Sequence, residues 1–197
     1  MRPHASDSIM EIFDGGWEEM ERAVSACDRC GLCRTRTHPA LGEGDRHAAI
    51  MLVGEGPGRE EDLQGRPFVG PAGQLLDRML AAVDLRREQV YITNIVKCRP
   101  PNNRNPEDAE ACACLPFLRR QFLLIRPKII VCLGAVAARH LCDPSVRITR
   151  DRGKWWVKNG VRILPTYHPA ALLRDEQKKR DAWLDFQSLR EVYQQLT

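Results

Sequence analysis

Three short apolar runs, each stopping abruptly at Gly or Asn, dictate more about the fold than anything else in these 197 residues. They are Ala48-Ala-Ile-Met-Leu-Val-Gly54, Val90-Tyr-Ile-Thr-Asn94 and Lys128-Ile-Ile-Val-Cys-Leu-Gly134. Runs this short, with so little polar alternation, predict strands buried on both faces. Helical signals fall between them. Residues 72–84 carry apolar side chains at helical spacing (Leu75, Leu76, Met79, Leu80, Val83), and an alanine-rich stretch continues to about His140. A further helix is predicted to open with Asn105 as its cap, Pro106 in its first turn and Glu107 and Asp108 complementing its dipole. Residues 17–26 and 176–196 read as amphipathic helices, and residues 155–164 as two strands around an Asn159-Gly160 turn. Strands alternating with helices predict an α/β chain: a three-layer α/β/α arrangement with a mostly parallel central sheet. The length suits one domain over 1–197, with residues 1–8 disordered.

In such a sheet, ligands collect where strands end at their carboxyl edge. Three segments rich in Gly, Pro, Asn and His are predicted there: 55–68, 94–104 and 168–174. The first and last read as loops. Of the five histidines, His168 alone sits in such a segment with a proline after it.

The eight cysteines, at 27, 30, 33, 98, 112, 114, 132 and 142, carry the next constraint. The N-terminus has no apolar h-region, and the longest apolar runs are too short to cross a membrane, so a cytoplasmic location is expected. There disulfides are disfavoured, and clustered thiols point to metal or redox chemistry. Cys27-x-x-Cys30 puts two thiols on one tight turn, a geometry used by both iron–sulfur clusters and zinc. A zinc ribbon would more often show a second such pair, so the spacing mildly favours a cluster. Cys112 and Cys114 lie about 200° apart around a helix and do not face one metal. Cys132 and Cys142 read as small buried hydrophobes. Cys33 extends the pattern to C-x-x-C-x-x-C with no fourth cysteine nearby. A net charge of +4 permits a nucleic-acid partner without requiring one.

Several motifs, in this order and spacing, resemble the iron–sulfur (family 4) uracil-DNA glycosylases of bacteria and archaea. They are Cys27-x-x-Cys-x-Leu32, Gly54-Glu-Gly-Pro-Gly-Arg-Glu-Glu-Asp62, Gly65-Arg-Pro-Phe-Val-Gly-Pro-Ala-Gly-Gln-Leu-Leu76, Thr93-Asn-Ile-Val-Lys-Cys-Arg-Pro-Pro101, Cys114 before Leu115-Pro116, and His168-Pro-Ala-Ala-Leu-Leu-Arg174. The resemblance implies the superfamily's fold, a [4Fe–4S] cluster on Cys27, Cys30, Cys98 and Cys114, and Cys33 and Cys112 as bystanders. It implies a monofunctional enzyme that takes uracil out of DNA and hydrolyses its glycosidic bond, acting as a monomer with no membrane partner. A related branch traps uracil through a histidine in a longer basic insertion. Here that connection, Arg99-Pro-Pro-Asn-Asn-Arg-Asn-Pro106, is short and lacks histidine, so ordinary turnover is expected.

Breaking an N-glycosidic bond needs an unstacked base, a stacking platform, a reader of the base edge, and donors aimed at the departing anion. By resemblance, Phe68 is the platform and Asn94 the reader, its amide donating to O4 and accepting from N3–H as uracil but not cytosine requires. His168 donates to O2. Gly56 brings backbone close to the base, and Glu61 lies where thymine's methyl would have to fit. Glu55 and Asn103 are the candidates for orienting water. Leu172 or Leu173 fills the vacated stack and Arg174 meets a phosphate, with Arg99 and Arg104 as further backbone contacts. Plainer readings stand beside these: a core phenylalanine, a capping asparagine, solvated glutamates, surface arginines. Trp155 and Trp156 read as hairpin packing and Lys97 as structural. Excision of another deaminated base and a non-catalytic DNA-binding or redox protein are the competing functions.

Overall fold

The computed structural model describes residues 15–196, so the expected disorder of residues 1–8 lies outside the described residues. All three apolar runs are strands. β2 (Ile50–Gly54), β3 (Tyr91–Asn94) and β4 (Ile129–Leu133) are buried along their whole length. They join β1 (Glu43–Gly44), β5 (Trp156–Lys158) and β6 (Val161–Thr166) in one sheet of order β1-β3-β2-β4-β6-β5. The β3-β2-β4-β6 centre is parallel, and β1 and β5 add antiparallel edges. Asn159 and Gly160 turn the β5-β6 hairpin with φ of 49° and 79°, the left-handed pair that a two-residue turn needs.

Side chains alternate along each strand, so the sheet separates two cores. Met51, Val53, Ile130, Cys132 and Ile163 face one core, where α1 (Trp17–Ser25), α4 (Asp108–Ile125) and α5 (Ala135–Leu141) add Met20, Val24, Phe117, Leu118 and Ala137. Ile50, Leu52, Val131, Leu133 and Leu164 face the other. There α3 (Pro71–Ala81) and α8 (Gln177–Gln194) add Leu76, Leu80, Phe186 and Leu189. This is a three-layer α/β/α arrangement. Trp155 and Trp156 point to opposite faces of the hairpin and pack one into each core, as hairpin residues rather than an exposed stack.

Three local expectations are corrected. Part of the polar segment before Pro71 is α2 (Arg59–Gln64), which ends at Gly65 in the left-handed conformation. Its six residues are too few to display apolar periodicity. The segment after β6 is likewise helical: α7 (Pro169–Arg174) starts on His168 rather than on Ser, Thr, Asp or Asn. Finally, α4 is capped at Glu107, not Asn105. Glu110 accepts from the Glu107 N–H at 2.8 Å while Arg104 grips the same carboxylate at 2.7 and 2.8 Å, so Pro106 stays outside the helix. A further short helix, α6 (Ile148–Asp151), precedes the hairpin.

The chain runs β2 to β3 across the α3 face and β3 to β4 across the α4 face. Strand order therefore reverses at β2, and a crevice opens beyond the carboxyl ends of the parallel strands.

Candidate active site and thiol cavity

A cavity of about 450 Å³ occupies that crevice. Glu55 and Gly56 reach it from the end of β2, Asn94 from β3, Glu61 from α2, His168 and Arg174 from α7, and Phe68 and Asn103 from the intervening segments. The residues expected to meet uracil, water or DNA thus converge, except the two leucines and Arg99.

Asn94 is the most telling of them. It is 1% exposed, yet neither its Nδ2 nor its Oδ1 has a hydrogen-bond partner among the described residues. An unpaired buried amide costs about 1–3 kcal/mol, so native structures rarely leave one without a ligand or water to complete it. Glycine makes the space. A Cβ on Gly54 would collide with both the Asn94 Oδ1 and the Phe68 ring, and one on Gly56 would lie 2.7 Å from the Val96 side chain.

The carbonyl of Asn94 is held from behind. Lys97 is 1% exposed, and its Nζ donates to the Asn94 carbonyl and Thr93 Oγ1 at 2.7 Å and to Gln121 Oε1 at 2.8 Å. Burial depresses its pKa to about 7, opposed by the neighbouring Cys114 and Cys98. Lys97 read as structural from sequence, and its hydrogen bonds fit that reading; the motif gave no hint that one partner is the Asn94 main-chain carbonyl.

Phe68 has a φ of 54°, a conformation that bulky residues rarely adopt. Its ring lies against the His168 imidazole, with centroids 5.4 Å apart and planes at 28°. His168 caps α7: its Nδ1 accepts from the Ala170 N–H at 3.1 Å, which puts the ring proton on Nε2. Burial pushes its pKa down to about 4, Arg174 adding to the effect and Glu61 opposing it. The imidazole is therefore neutral at pH 7. Gly134, at φ 96°, leaves room for it, since a Cβ there would sit 3.0 Å from that of His168.

The two glutamates differ. Glu61 spends both oxygens on backbone, accepting from Val69 and Gly70 N–H at 2.9 and 2.8 Å and from Gly58 N–H at 3.1 Å. It shapes the loop that lines the cavity. Glu55 makes no such bonds among the described residues, and burial raises its pKa against a weaker pull from Arg139. Asn103, exposed on the rim at φ 54°, accepts from Arg99 Nε at 2.7 Å. Arg104 is committed to Glu110 and is a helix brace rather than a free cation.

The alternative between the two leucines is decided by burial. Leu172 is 1% exposed and packs with Tyr167 and Ala182, so its candidacy as a stack-filling side chain is withdrawn. Leu173 is 44% exposed.

Cys27, Cys30, Cys98 and Cys114 line a second cavity, together with Val24, Val96 and Phe117. Cys33, expected to be a bystander, lines it too, whereas Cys112 is exposed. Cys132 and Cys142 are buried elsewhere. Arg36 Nη1 donates to Cys98 Sγ at 3.1 Å and the Lys97 N–H to Cys114 Sγ at 3.3 Å. Burial raises the pKa of Cys98 and lifts that of Cys114 to about 11. Such thiols ionise once a metal supplies the compensating charge. Among the described residues no three Cys, His, Asp or Glu side chains are grouped closely enough to hold a single metal ion.

Comparison with known proteins agrees with this geometry. Residues 41–193 match the family model described as the uracil DNA glycosylase superfamily. The chain is 44% identical over 184 residues to a type-4 uracil-DNA glycosylase of Archaeoglobus fulgidus, covering 89% of this chain and 92% of that one. It is 47% identical over 179 residues to a type-4 uracil-DNA glycosylase of Thermotoga maritima, covering 89% of each. A type-5 uracil-DNA glycosylase of Pyrobaculum aerophilum is more distant, at 34% over 146 residues, 66% of this chain and 64% of that one. With residues 41–193 matching its model and relatives 44% and 47% identical over most of both chains, this chain belongs to the uracil DNA glycosylase superfamily.

Proposed function

We propose that this chain is a monofunctional uracil-DNA glycosylase of base excision repair, releasing free uracil and leaving an abasic site. The observation that carries the proposal is the Asn94 amide, buried and without a partner inside a cavity at the carboxyl edge of the sheet. An amide can donate to O4 and accept from N3–H at once, which fits uracil and mismatches cytosine. Phe68 supplies the face on which the flipped base stacks, and backbone at Gly56 approaches its edge. As the C1′–N1 bond breaks, negative charge gathers on the base and the His168 Nε2–H stabilises it at O2. Glu55 faces the cationic sugar and takes a proton from the water that adds to C1′. Asn103 holds that water from the rim. Glu61 fixes the loop wall that a 5-methyl group would strike, Leu173 fills the vacated stack, and Arg174 meets a phosphate.

The thiol cavity fits a cluster on Cys27, Cys30, Cys98 and Cys114. All four donors are sulfur, they line one cavity, and two of them already accept N–H bonds. A [4Fe–4S] cluster there would supply a rigid cross-link between α1, the 98–103 loop and α4. No helix of the described residues is long and apolar enough to cross a membrane. The reading places a monomer in the cytoplasm, where thiols stay reduced.

Purified brown protein incubated with oligonucleotides bearing one uracil is expected to release the base and leave an alkali-labile site, without strand cleavage by elimination. A parallel panel with hypoxanthine tests for other deaminated bases. Protein with its cluster intact that formed no abasic site on uracil DNA would refute the proposal.

The leucines give a sharper check. Leu172→Ala should lower stability by about 2–5 kcal/mol in urea unfolding, the usual cost of a buried leucine. Leu173→Ala should leave stability within about 0.5 kcal/mol but slow excision from duplex DNA more than from single strands. Equal slowing on both substrates would remove Leu173 from the stack-filling role.

A further inference from the structure

We infer that Arg87 is the positioning residue for the uracil-stacking face, acting through the backbone of Phe68. It lies in a short 3₁₀ turn, Arg87–Gln89, just before β3 and outside every motif that carries the family resemblance. Its side chain is only 14% exposed, and each of its three guanidinium nitrogens donates. Nη1 donates to the Phe68 carbonyl at 3.0 Å and Nη2 to the Pro67 carbonyl, so one planar fork grips two consecutive peptide oxygens. Nε meets Glu43 at 3.1 Å and Nη1 meets Asp77 at 3.1 Å, which fixes the fork from β1 and α3.

The peptide it holds needs holding. Phe68 sits at φ 54°, which costs a bulky residue of order 1 kcal/mol or more and persists only where surroundings over-determine it. Gly73 of α3 lies directly against the same carbonyl, and a Cβ there would overlap the Phe68 oxygen. Arg87 attracts the carbonyl into that slot, and Gly73 leaves the slot open. Released from both, Phe68 would relax toward negative φ and swing its ring away from His168.

This rests on Phe68 being the platform, so the test is a double-mutant cycle on single-turnover excision: wild type, R87M, F68A and the double variant. Urea midpoints for all four guard against global loss. R87M is expected to slow excision about ten-fold or more in the wild-type background, as misplacement of a positioning group does. It should slow it less than about two-fold in the F68A background. R87K, which keeps the charge but cannot fork, should fall between wild type and R87M, and it carries the same cycle should R87M not fold. Equal losses in both backgrounds would mean that Arg87 acts on the fold at large and would overturn the inference. F68A excising at the wild-type rate would instead overturn the platform reading itself, an outcome separable from the first.

Discussion

His168→Ala should slow uracil excision by about 10²–10³-fold while DNA affinity and the iron content stay near wild type. That range is the usual consequence of removing one donor aimed at a developing anion. The expectation of a kinetic rather than a binding defect follows from where the proton sits. With Nδ1 occupied by the Ala170 N–H, the donor is Nε2, and it meets O2 most strongly when the glycosidic bond has begun to break. Burial holds the pKa near 4, against about 6.5 for free histidine, so the group stays a neutral donor throughout the working range. Between those values the unfolded chain binds the proton and the folded one does not. Stability from this group is therefore complete above about pH 6.5 and declines as pH falls toward 4. The wild-type single-turnover rate should accordingly show no inflection near 6.5, and the His168 imidazole resonances should titrate near 4. An imidazole midpoint near 6.5 together with a rate that falls as pH rises through it would mean that a charged imidazolium does the work, and the neutral-donor mechanism would fall.

Much of this site was legible because its residues sit where chain direction forces them. Gly54, Asn94 and Gly134 end apolar runs, and ends of parallel strands face one edge of the sheet, so those runs already pointed at the cavity. Two of the three fold corrections fall where six-residue helices replace loops. In α2 the helix binds its neighbourhood through Glu61 and through Asp62, which accepts from the Thr37 N–H at 2.9 Å, not through an apolar stripe. In α7 the cap is an imidazole, which the usual capping signals do not include. Leu172 and Leu173 are adjacent and chemically identical; only the position of Tyr167 and Ala182 decides which of them is buried. Arg87 was invisible for a different reason. It acts on main-chain carbonyls, and no side-chain pattern reports which carbonyl an arginine will find.

On the proposed cluster assignment, Cys98→Ser should abolish iron–sulfur charge-transfer absorbance and lower uracil excision by about 10²-fold or more, although Cys98 does not line the Asn94 cavity. The reason is continuity of chain and hydrogen bonds. Cys98 follows Asn94 by four residues and precedes Asn103 by five, so as a cluster ligand it would anchor the proposed base reader on one side and the proposed water-side rim on the other. Between Asn94 and Cys98 stands Lys97, whose N–H donates to Cys114 Sγ and whose Nζ donates to the Asn94 carbonyl. A single buried residue thus joins the thiol cavity to the main chain of Asn94, the proposed uracil reader. Without a cluster to draw Cys98 and Cys114 together, the strap loses its fixed end, and an amide displaced by even 1 Å no longer matches O4 and N3–H. Two companions separate this coupling from simple unfolding. Cys112→Ser, on the exposed side of α4, should keep iron, absorbance and rate. Cys33→Ser should keep iron if four thiols suffice, and lose it if the cavity uses the fifth that lines it. A Cys98→Ser protein that contained no iron, melted like wild type and still excised uracil at full rate would break the link between the two cavities.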